Sequence, residues 1–250
     1  MNRISKLLLF FIYTLTFDSF GQSFMGKSNL TLTLLHQRMS GKWNRGYSYQ
    51  NIVGGYNLGY SEAIEKSNGL MAFGSTTTSL FNPGGKRKFY IGDYLGVSLG
   101  LGGAKNSTRF LGETVSSTDL TGHLGFLGGL SLGYRPNENL DFGVRWYYDF
   151  QYWLFFIGTD TDFNFAPFTR NFQFVARYKT LAADLTLGGY NGHFNSQKTM
   201  KYESLQVKKI LDEKSGTFLG IRLDYYRQNE AAEKFKANIF ALGVSFGWVR

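Results

Sequence analysis

The sequence contains no cysteine and only 3 prolines in 250 residues. Without cysteine, a disulfide scaffold, a thiolate metal site, a cysteine nucleophile and a lipid-anchored N-terminal cysteine are all excluded. The scarcity of proline and a hydrophobic content of 43% argue against a disordered chain. Beyond residue 21 no apolar run approaches the about 20 residues of a transmembrane helix, which excludes a transmembrane helix bundle.

Glycine, aromatic residues and positive charge are abundant instead. The chain has 31 glycines, well above the usual share of about 7%. It also has 24 Phe, 16 Tyr and 4 Trp, and its formal net charge is +9. The length of 250 residues allows one large domain or two small ones.

The first 21 residues have the layout of a secretory signal peptide. Arg3 and Lys6 precede the apolar run Leu7 to Leu15, and small residues follow at Ser19 and Gly21. We therefore expect residues 1–21 to be removed on export and residues 22–250 to form one domain. The exported chain would still carry a net charge of +8.

Residues 140–150 alternate between two kinds of side chain. Even positions carry Leu, Phe, Val, Trp, Tyr and Phe, whereas Asp141, Arg145 and Asp149 occupy odd positions. Side chains of a strand point to opposite faces with a period of two, so this segment predicts a strand with one apolar and one polar face.

Similar alternation recurs along the chain. It predicts ten strands, at about 28–38, 47–60, 88–103, 121–135, 139–152, 169–179, 181–191, 201–211, 216–228 and 236–249. Residues 61–87 fit no strand pair, and we interpret them as a long periplasmic connection or a segment that plugs the lumen. Twelve strands, with a hairpin in 61–87, and eight strands are the alternatives.

Short and long connections also alternate. Turns are predicted at 135–139, 179–180 and 212–216, and longer polar loops at 104–120, 153–168, 191–200 and 229–235. This is the arrangement of an antiparallel up-and-down transmembrane β-barrel, with the short turns in the periplasm.

A soluble barrel or sandwich is the alternative to a membrane barrel. Two features favour the membrane: the polar face is rich in glycine, which suits a narrow packed lumen, and aromatic residues lie near predicted strand ends. The aromatic positions are Tyr60, Tyr134, Phe150, Trp153, Tyr178, Tyr225 and Trp248.

The last strand resembles the assembly signal of bacterial outer-membrane β-barrels. Gly243, Phe246 and Trp248 carry the likeness, although Val249 and Arg250 follow where that family usually ends on an aromatic residue. The resemblance implies a Gram-negative outer membrane and recognition by its barrel-assembly machinery. The Phe, Tyr and Gly content and the Gly21-Gln22 site resemble outer-membrane proteins of Bacteroidota.

Catalytic and metal motifs are weak. None of the histidines, His36, His123 and His193, lies in the His-x-Ser pattern of outer-membrane lipid hydrolases. Asp160-x-Asp162-x-Asn164 has the opening spacing of a calcium loop but lacks its glycine and its final glutamate. We therefore expect no enzyme activity, no cofactor and no resident metal.

Charged residues on the predicted inward face form the main candidate site. Charges inside a membrane protein usually face the interior and pair with one another. We expect a lumen charge network of Asp141, Arg145, Asp149, Arg177, Asp184, Arg222 and Asp224. Such a network would fill a narrow lumen, or it would line a narrow pore with slight anion preference.

The remaining basic excess is expected at the rim, at Lys86, Arg87, Lys88, Lys208 and Lys209. Lipopolysaccharide phosphates, anionic lipid headgroups or an acidic protein suit such a rim, and nucleic acid does not suit an exported barrel. The sequence thus favours a non-catalytic accessory subunit of a larger outer-membrane secretion, assembly or uptake complex. A small passive channel and an outer-leaflet lipid-modifying enzyme are the alternatives.

Overall fold

The computed structural model describes residues 28–50, 56–78, 88–157, 161–165, 168–191, 198–230 and 235–249. The expected signal peptide, residues 1–21, lies outside these ranges. The regular elements of the described ranges are all β-strands. None of the described residues forms a helix long and apolar enough to cross a membrane.

Ten of the eleven strands close into a barrel in which sequence neighbours pair antiparallel. β1 pairs with both β2 and β11, and β4 pairs with β5, so the ring has no open edge along its paired length. The short strand β6 pairs with β5 alone, beyond the ring. The strands are β1 Ser28–Gln50, β2 Tyr56–Thr78, β3 Phe89–Phe110, β4 Glu113–Asn137, β5 Leu140–Ile157, β6 Thr161–Phe165, β7 Phe168–Tyr178, β8 Leu181–Asn191, β9 Lys198–Asp212, β10 Thr217–Glu230 and β11 Phe235–Val249. The prediction of a ten-stranded up-and-down barrel is confirmed.

The assignment of the first two strands was wrong. β1 runs without a break from Ser28 to Gln50, and β2 begins at Tyr56 and ends at Thr78. Residues 61–78 therefore belong to a barrel strand and form neither a connection nor a plug, whereas residues 79–87 lie outside the described ranges. The sequence obscured this because the apolar residues change face along β1: Leu32 and Leu34 are exposed on the outward face, whereas Leu35 and Met39 are buried on the inward face.

The polar stretch 104–120 forms a hairpin and not the expected loop. β3 continues to Phe110, β4 begins at Glu113, and Leu111 and Gly112 form the turn with φ of 52° and 87°. Two successive positive φ angles fit a type I′ turn, whose twist matches that of the flanking strands. Alternation persists here between buried and exposed polar residues, which a hydropathy pattern does not reveal.

Strand length divides the barrel into two walls. β1 to β4, here called the tall wall, have 23, 23, 22 and 25 residues. β7 to β11, the short wall, have 11, 11, 15, 14 and 15 residues. The turns at 138–139, 179–180 and 213–216 lie at one end, called the turn end, and the tall wall projects at the opposite end.

The outward face of the barrel is an apolar band above the turn end. Phe142, Val144, Trp146, Tyr148 and Phe150 of β5 are exposed on it, as are leucine and phenylalanine side chains of the other strands. A surface of this extent is unfavourable in water and marks a membrane-embedded barrel, because a tilted strand needs about 9–11 residues to cross a bilayer. Among the described side chains on this face, Asp93 of β3 and Glu203 of β9 are charged exceptions.

Inward-facing glycines make room for large side chains inside the barrel. A Cβ atom at Gly133 would overlap the ring of Tyr90, and one at Gly188 would overlap the side chain of Asn171. The sequence prediction of a glycine-rich inward face is therefore explained by packing within a narrow lumen.

Candidate functional site: the filled lumen

Two clusters of apolar side chains fill the lumen at different heights. The lower cluster, near the turn end, consists of Tyr90, Val175, Ala182, Ile210, Phe218 and Val249. The upper cluster consists of Leu35, Met39, Met71, Trp153, Met200, Tyr202, Tyr226, Ala237, Ile239 and Ala241. The lower cluster combines residues of β3 and β7 to β11, and the upper cluster combines residues of β1, β2, β5 and β9 to β11.

A charged layer lies between the two clusters and contains two close ion pairs. Lys208 of β9 donates to Asp184 of β8 at 2.7 Å, with both side chains almost fully buried. Arg222 donates to Asp224 on the same strand, also at 2.7 Å. Tyr202 donates to the second oxygen of Asp224 at 3.0 Å. The charges therefore fix one another instead of facing an open channel.

Gln151 links the charged layer to the upper cluster. Its amide nitrogen donates to Asp149 at 2.6 Å, and its carbonyl oxygen accepts from Tyr226 at 2.6 Å and from Trp153 at 3.1 Å. The rings of Tyr202 and Tyr226 stack with centroids 4.4 Å apart. One buried amide thus binds three neighbouring side chains across the lumen.

A polar cavity of about 90 Å³ adjoins the charged layer, and its lining also includes Asn29, Thr31 and Thr77 of the tall wall. Arg145, Arg222 and Asp149 are among its lining residues, together with Ser98 and Gln173. Arg145 donates to Gln173 at 2.8 Å, and its guanidinium lies 4.5 Å from the ring centroid of Tyr94. The volume equals that of about three water molecules, so the cavity suits ordered water or a small ion.

The predicted lumen residues divide by position. Arg145, Asp149, Asp184, Arg222 and Asp224 meet in the charged layer. Asp141 lies at the turn end, where Arg135 is 3.5 Å away and Tyr90 donates to it at 3.0 Å.

Arg177 is half-buried at the same end and donates to the backbone oxygen of Lys179.

The predicted basic rim is only partly at the rim. Lys88 and Lys209 are exposed at the turn end, and Lys209 donates to Thr180 at 2.6 Å. Lys208 lies inside the lumen instead, because strand alternation turns it to the face opposite Lys209 and Asp184 neutralises it there. Lys86 and Arg87 lie outside the described residues.

The sequence missed a Ser98–His123 pair. The Nε2 atom of His123 lies 3.0 Å from the Ser98 hydroxyl, and the imidazole packs between Phe73 and Trp153. The two residues lie on neighbouring strands at diagonal register positions, which a search for His-x-Ser within one strand does not find. The buried Nδ1 atom has no hydrogen-bond partner among the described residues, so no third group orients the imidazole as a catalytic triad requires.

The other candidate residues give no catalytic or metal geometry. His36 faces outward and its Nε2 atom lies 2.7 Å from the Asn68 side-chain oxygen, and His193 lies outside the described residues. Asp162 and Asn164 belong to β6 and pair with β5, and an extended strand differs from the curled backbone of a calcium loop. Asp160 is not described.

The proposed assembly signal occupies the turn end of β11. Phe246 and Trp248 face outward with ring centroids 5.1 Å apart, and Gly243 faces inward against Thr33 and Leu35 of β1. Phe89 stacks on Tyr134 at 4.5 Å near the same end. Aromatic side chains therefore border the band at the turn end, as expected, whereas Trp153, expected in the same belt, is buried in the lumen.

Comparisons with known proteins show no matching family model and no matching curated protein. Among solved structures, the chain is similar to the β-domain of the Bordetella autotransporter BrkA, with 12% identity over 90% of this chain and 99% of that one and a TM-score of 0.37. It is also similar to the NalP translocator domain of Neisseria meningitidis, with 12% identity over 97% and 94% of the two chains and a TM-score of 0.31. The CymD monoaromatic hydrocarbon channel gives 8% identity over 90% and 89%, with a TM-score of 0.32. These values are too low to assign the chain a role.

Proposed function

We propose that this protein is a non-catalytic barrel of the outer membrane of a Gram-negative bacterium. It is exported by residues 1–21 and serves as a structural or accessory subunit of a larger secretion, assembly or uptake complex. The observation that carries the proposal is the filled lumen: two apolar clusters with a paired charge layer between them. Such a barrel would serve the complex through its outer wall and its projecting strands, and its lumen would not conduct solutes.

The packing of the lumen argues against solute transport. A solute would have to separate the stacked Tyr202 and Tyr226 rings and then pass the Lys208–Asp184 pair. Separating these two charges inside the lumen would leave each without its buried partner, which is unfavourable.

The tall wall supports a role in partner binding. Bacterial barrels place short turns in the periplasm, which puts the turn end there and the projecting strands outside the cell. The β3–β4 hairpin extends along Ala104–Asp119 with exposed Lys105 and Arg109 on its outward face. A partner would contact this polar, ordered surface.

A small passive channel is the second candidate. The cavity of about 90 Å³ and its two arginines favour it, because a modest shift of the upper cluster would connect the cavity to one end of the barrel. Anion preference would follow from Arg145 and Arg222.

Planar-bilayer recording separates the two candidates. The purified full-length barrel should show no steady conductance above the empty bilayer, whereas a Met39→Gly/Met200→Gly variant, thinned in the upper cluster, should conduct more. Steady conductance of the wild-type protein would contradict the accessory proposal and support the channel.

Purification in mild detergent tests the partner directly. Wild-type barrel should co-elute with a stoichiometric outer-membrane protein, and a variant with residues 105–118 replaced by Asn-Gly should lose it while keeping heat-modifiable gel mobility. A monodisperse lone barrel from native membranes would contradict the accessory role.

Lipid analysis addresses catalysis. Ser98→Ala and His123→Ala strains should have unchanged lipid A and phospholipid profiles by mass spectrometry, because the dyad lacks an orienting group. A changed profile in both strains would overturn the non-catalytic part of the proposal.

A further inference from the structure

A row of outward-facing residues on the short wall brings three cations together. The register places Arg170 of β7 opposite Gly189 of β8, Gly189 opposite Lys201 of β9, and Lys201 opposite Arg227 of β10. Arg170, Lys201 and Arg227 are all exposed. We call these four residues the basic notch.

The geometry of the notch is unfavourable without an anion. Lys201 and Arg227 lie directly opposite each other, at a cross-strand spacing of about 5 Å, where like charges repel. Gly189 has no side chain, which leaves a gap of about 10 Å between the backbones that carry Arg170 and Lys201.

Few acidic groups compensate the three cations. Glu203 is exposed on β9, two residues from Lys201 toward the turn end. Among the described side chains, no carboxylate forms an ion pair with Arg170, Lys201 or Arg227. The next position along the row is Asn238, whose side-chain oxygen accepts from Tyr225 at 3.3 Å.

The notch lies where the apolar band ends. Toward the turn end, the next outward residues are Phe172 on β7, Leu187 on β8 and Tyr225 on β10, and Glu203 of β9 lies between Leu187 and Tyr225. An amphiphile seated here would place an anionic headgroup on the cations and its acyl chains against these apolar side chains. With the turn end in the periplasm, the notch faces the outer leaflet.

We propose that the basic notch binds a phosphate group of lipid A, the phosphorylated glycolipid that anchors lipopolysaccharide. The inference rests on the outer-membrane placement under the proposed function. Arginine guanidinium groups bind phosphate oxygens in bidentate fashion, and Lys201 adds a point charge between them. The short wall thereby takes a lipid ligand, while the tall wall remains free for a protein partner.

Native mass spectrometry of the full-length barrel in detergent tests the site, with titrated diphosphorylated lipid A. The triple variant Arg170→Gln/Lys201→Gln/Arg227→Gln should bind about 10–100-fold more weakly, since each surface cation contributes about 1 kcal/mol to anionic lipid binding. The control is Lys88→Gln/Lys209→Gln, which removes two exposed cations at the turn end and should bind as wild type does.

Three outcomes would overturn the proposal: equal lipid A affinity of the triple variant and wild type, an equal loss in the control, or equal wild-type affinity for dephosphorylated lipid A. Equal wild-type affinity for phosphatidylglycerol vesicles would also overturn it, because the notch would then be a general anionic-lipid surface. Membrane fractionation is read separately. A barrel found in the outer membrane without lipid A selectivity contradicts the notch alone, and one found elsewhere contradicts the proposed function.

Discussion

The tall and short walls of the barrel share antiparallel strand geometry but differ in strand length and in the charge of their inward faces. The inward positions of the short wall carry Asp184, Lys208, Arg222 and Asp224. The tall wall has no charged inward residue within the band among those described; Arg135 lies at the turn end, and Glu65 and Asp119 lie in the projecting part.

Side chains of the short wall cross the lumen and contact residues of the opposite strands. Arg222 of β10 reaches to 5.1 Å from the ring centroid of Phe73 on β2, and Tyr226 bonds Gln151 of β5. Strand length also differs between the walls. A strand needs about 9–11 residues to cross a bilayer, and the 11 residues of β7 and β8 suffice. The strands of the tall wall extend about 40 Å further than β7 and β8.

The largest expected effect is on the free energy of unfolding, at the buried charges of the short wall. Lys208→Met should lower the free energy of unfolding by about 3–5 kcal/mol, because it leaves Asp184 as an uncompensated buried charge. Urea titration in lipid vesicles measures the loss. Lys208→Met/Asp184→Leu should recover most of it, and Thr33→Val on the tall wall, which removes a hydrogen bond to Ser245, should cost about 1 kcal/mol. Equal losses in Lys208→Met and Thr33→Val would contradict a difference between the walls.

The next effect tests the space that glycine provides. Gly133→Ala should cost about 1–3 kcal/mol, because the added methyl group overlaps Tyr90 and displaces it from Asp141. The matched control is Gly128→Ala on the outward face, where the new Cβ atom would lie 3.6 Å from a Leu95 methyl carbon in ordinary contact. The same urea titration applies, and an equal cost at both glycines would refute the packing explanation.

A smaller and local effect is expected at the hairpin tip of the tall wall. Gly112→Ala forces a side chain into φ of 87°, which costs about 1–2 kcal/mol. Amide hydrogen exchange should accelerate at Phe110 and Glu113 and stay unchanged in the short wall. Leu111→Asn, which tolerates positive φ better, serves as the control and should slow exchange at the tip. Accelerated exchange throughout the barrel would show that the projecting hairpin is not independent of the membrane part.

The smallest effect concerns the surface of the tall wall. Lys42 and Glu62 form an ion pair at 3.1 Å, and both side chains are more than half exposed. A double-mutant cycle with Lys42→Ala and Glu62→Ala should give a coupling of about 0.2–1 kcal/mol that falls with added salt. A coupling near that of the buried Lys208–Asp184 pair would contradict the distinction drawn between surface and lumen.

The sequence predicts the membrane part of the fold well and the projecting part poorly. Between a lipid face and a lumen, alternation of Phe or Leu with Gly or Asp is strong, and strands such as β5 and β11 lie close to their predicted bounds. The β3–β4 hairpin is polar on both faces and carries no hydrophobic period, and in the far half of β1 the apolar residues Met39 and Trp43 lie on the inward face instead of the outward one. Backbone pairing and the Leu111-Gly112 turn define them instead.

The sequence predicts which residues belong to the candidate site, but it does not predict which of them contact one another. Alternation alone places Asp184, Arg222 and Asp224 inside the barrel. It could also have placed Lys208 there, since Lys209 takes the outward position. The Ser98–His123 pair and the notch depend on the register between strands, and a single sequence does not specify register.

The pairing of β1 with β11 is the step that closes the barrel during assembly. It runs from Asn29 opposite Val249 to Lys42 opposite Lys236, and the Thr33–Ser245 contact at 2.9 Å joins residues 212 positions apart. Contacts so distant in sequence close the largest possible loop, which makes them the slowest to form. The ring therefore remains an open sheet with two exposed edges until its final strand arrives, and closure is the step that a folding catalyst would most accelerate.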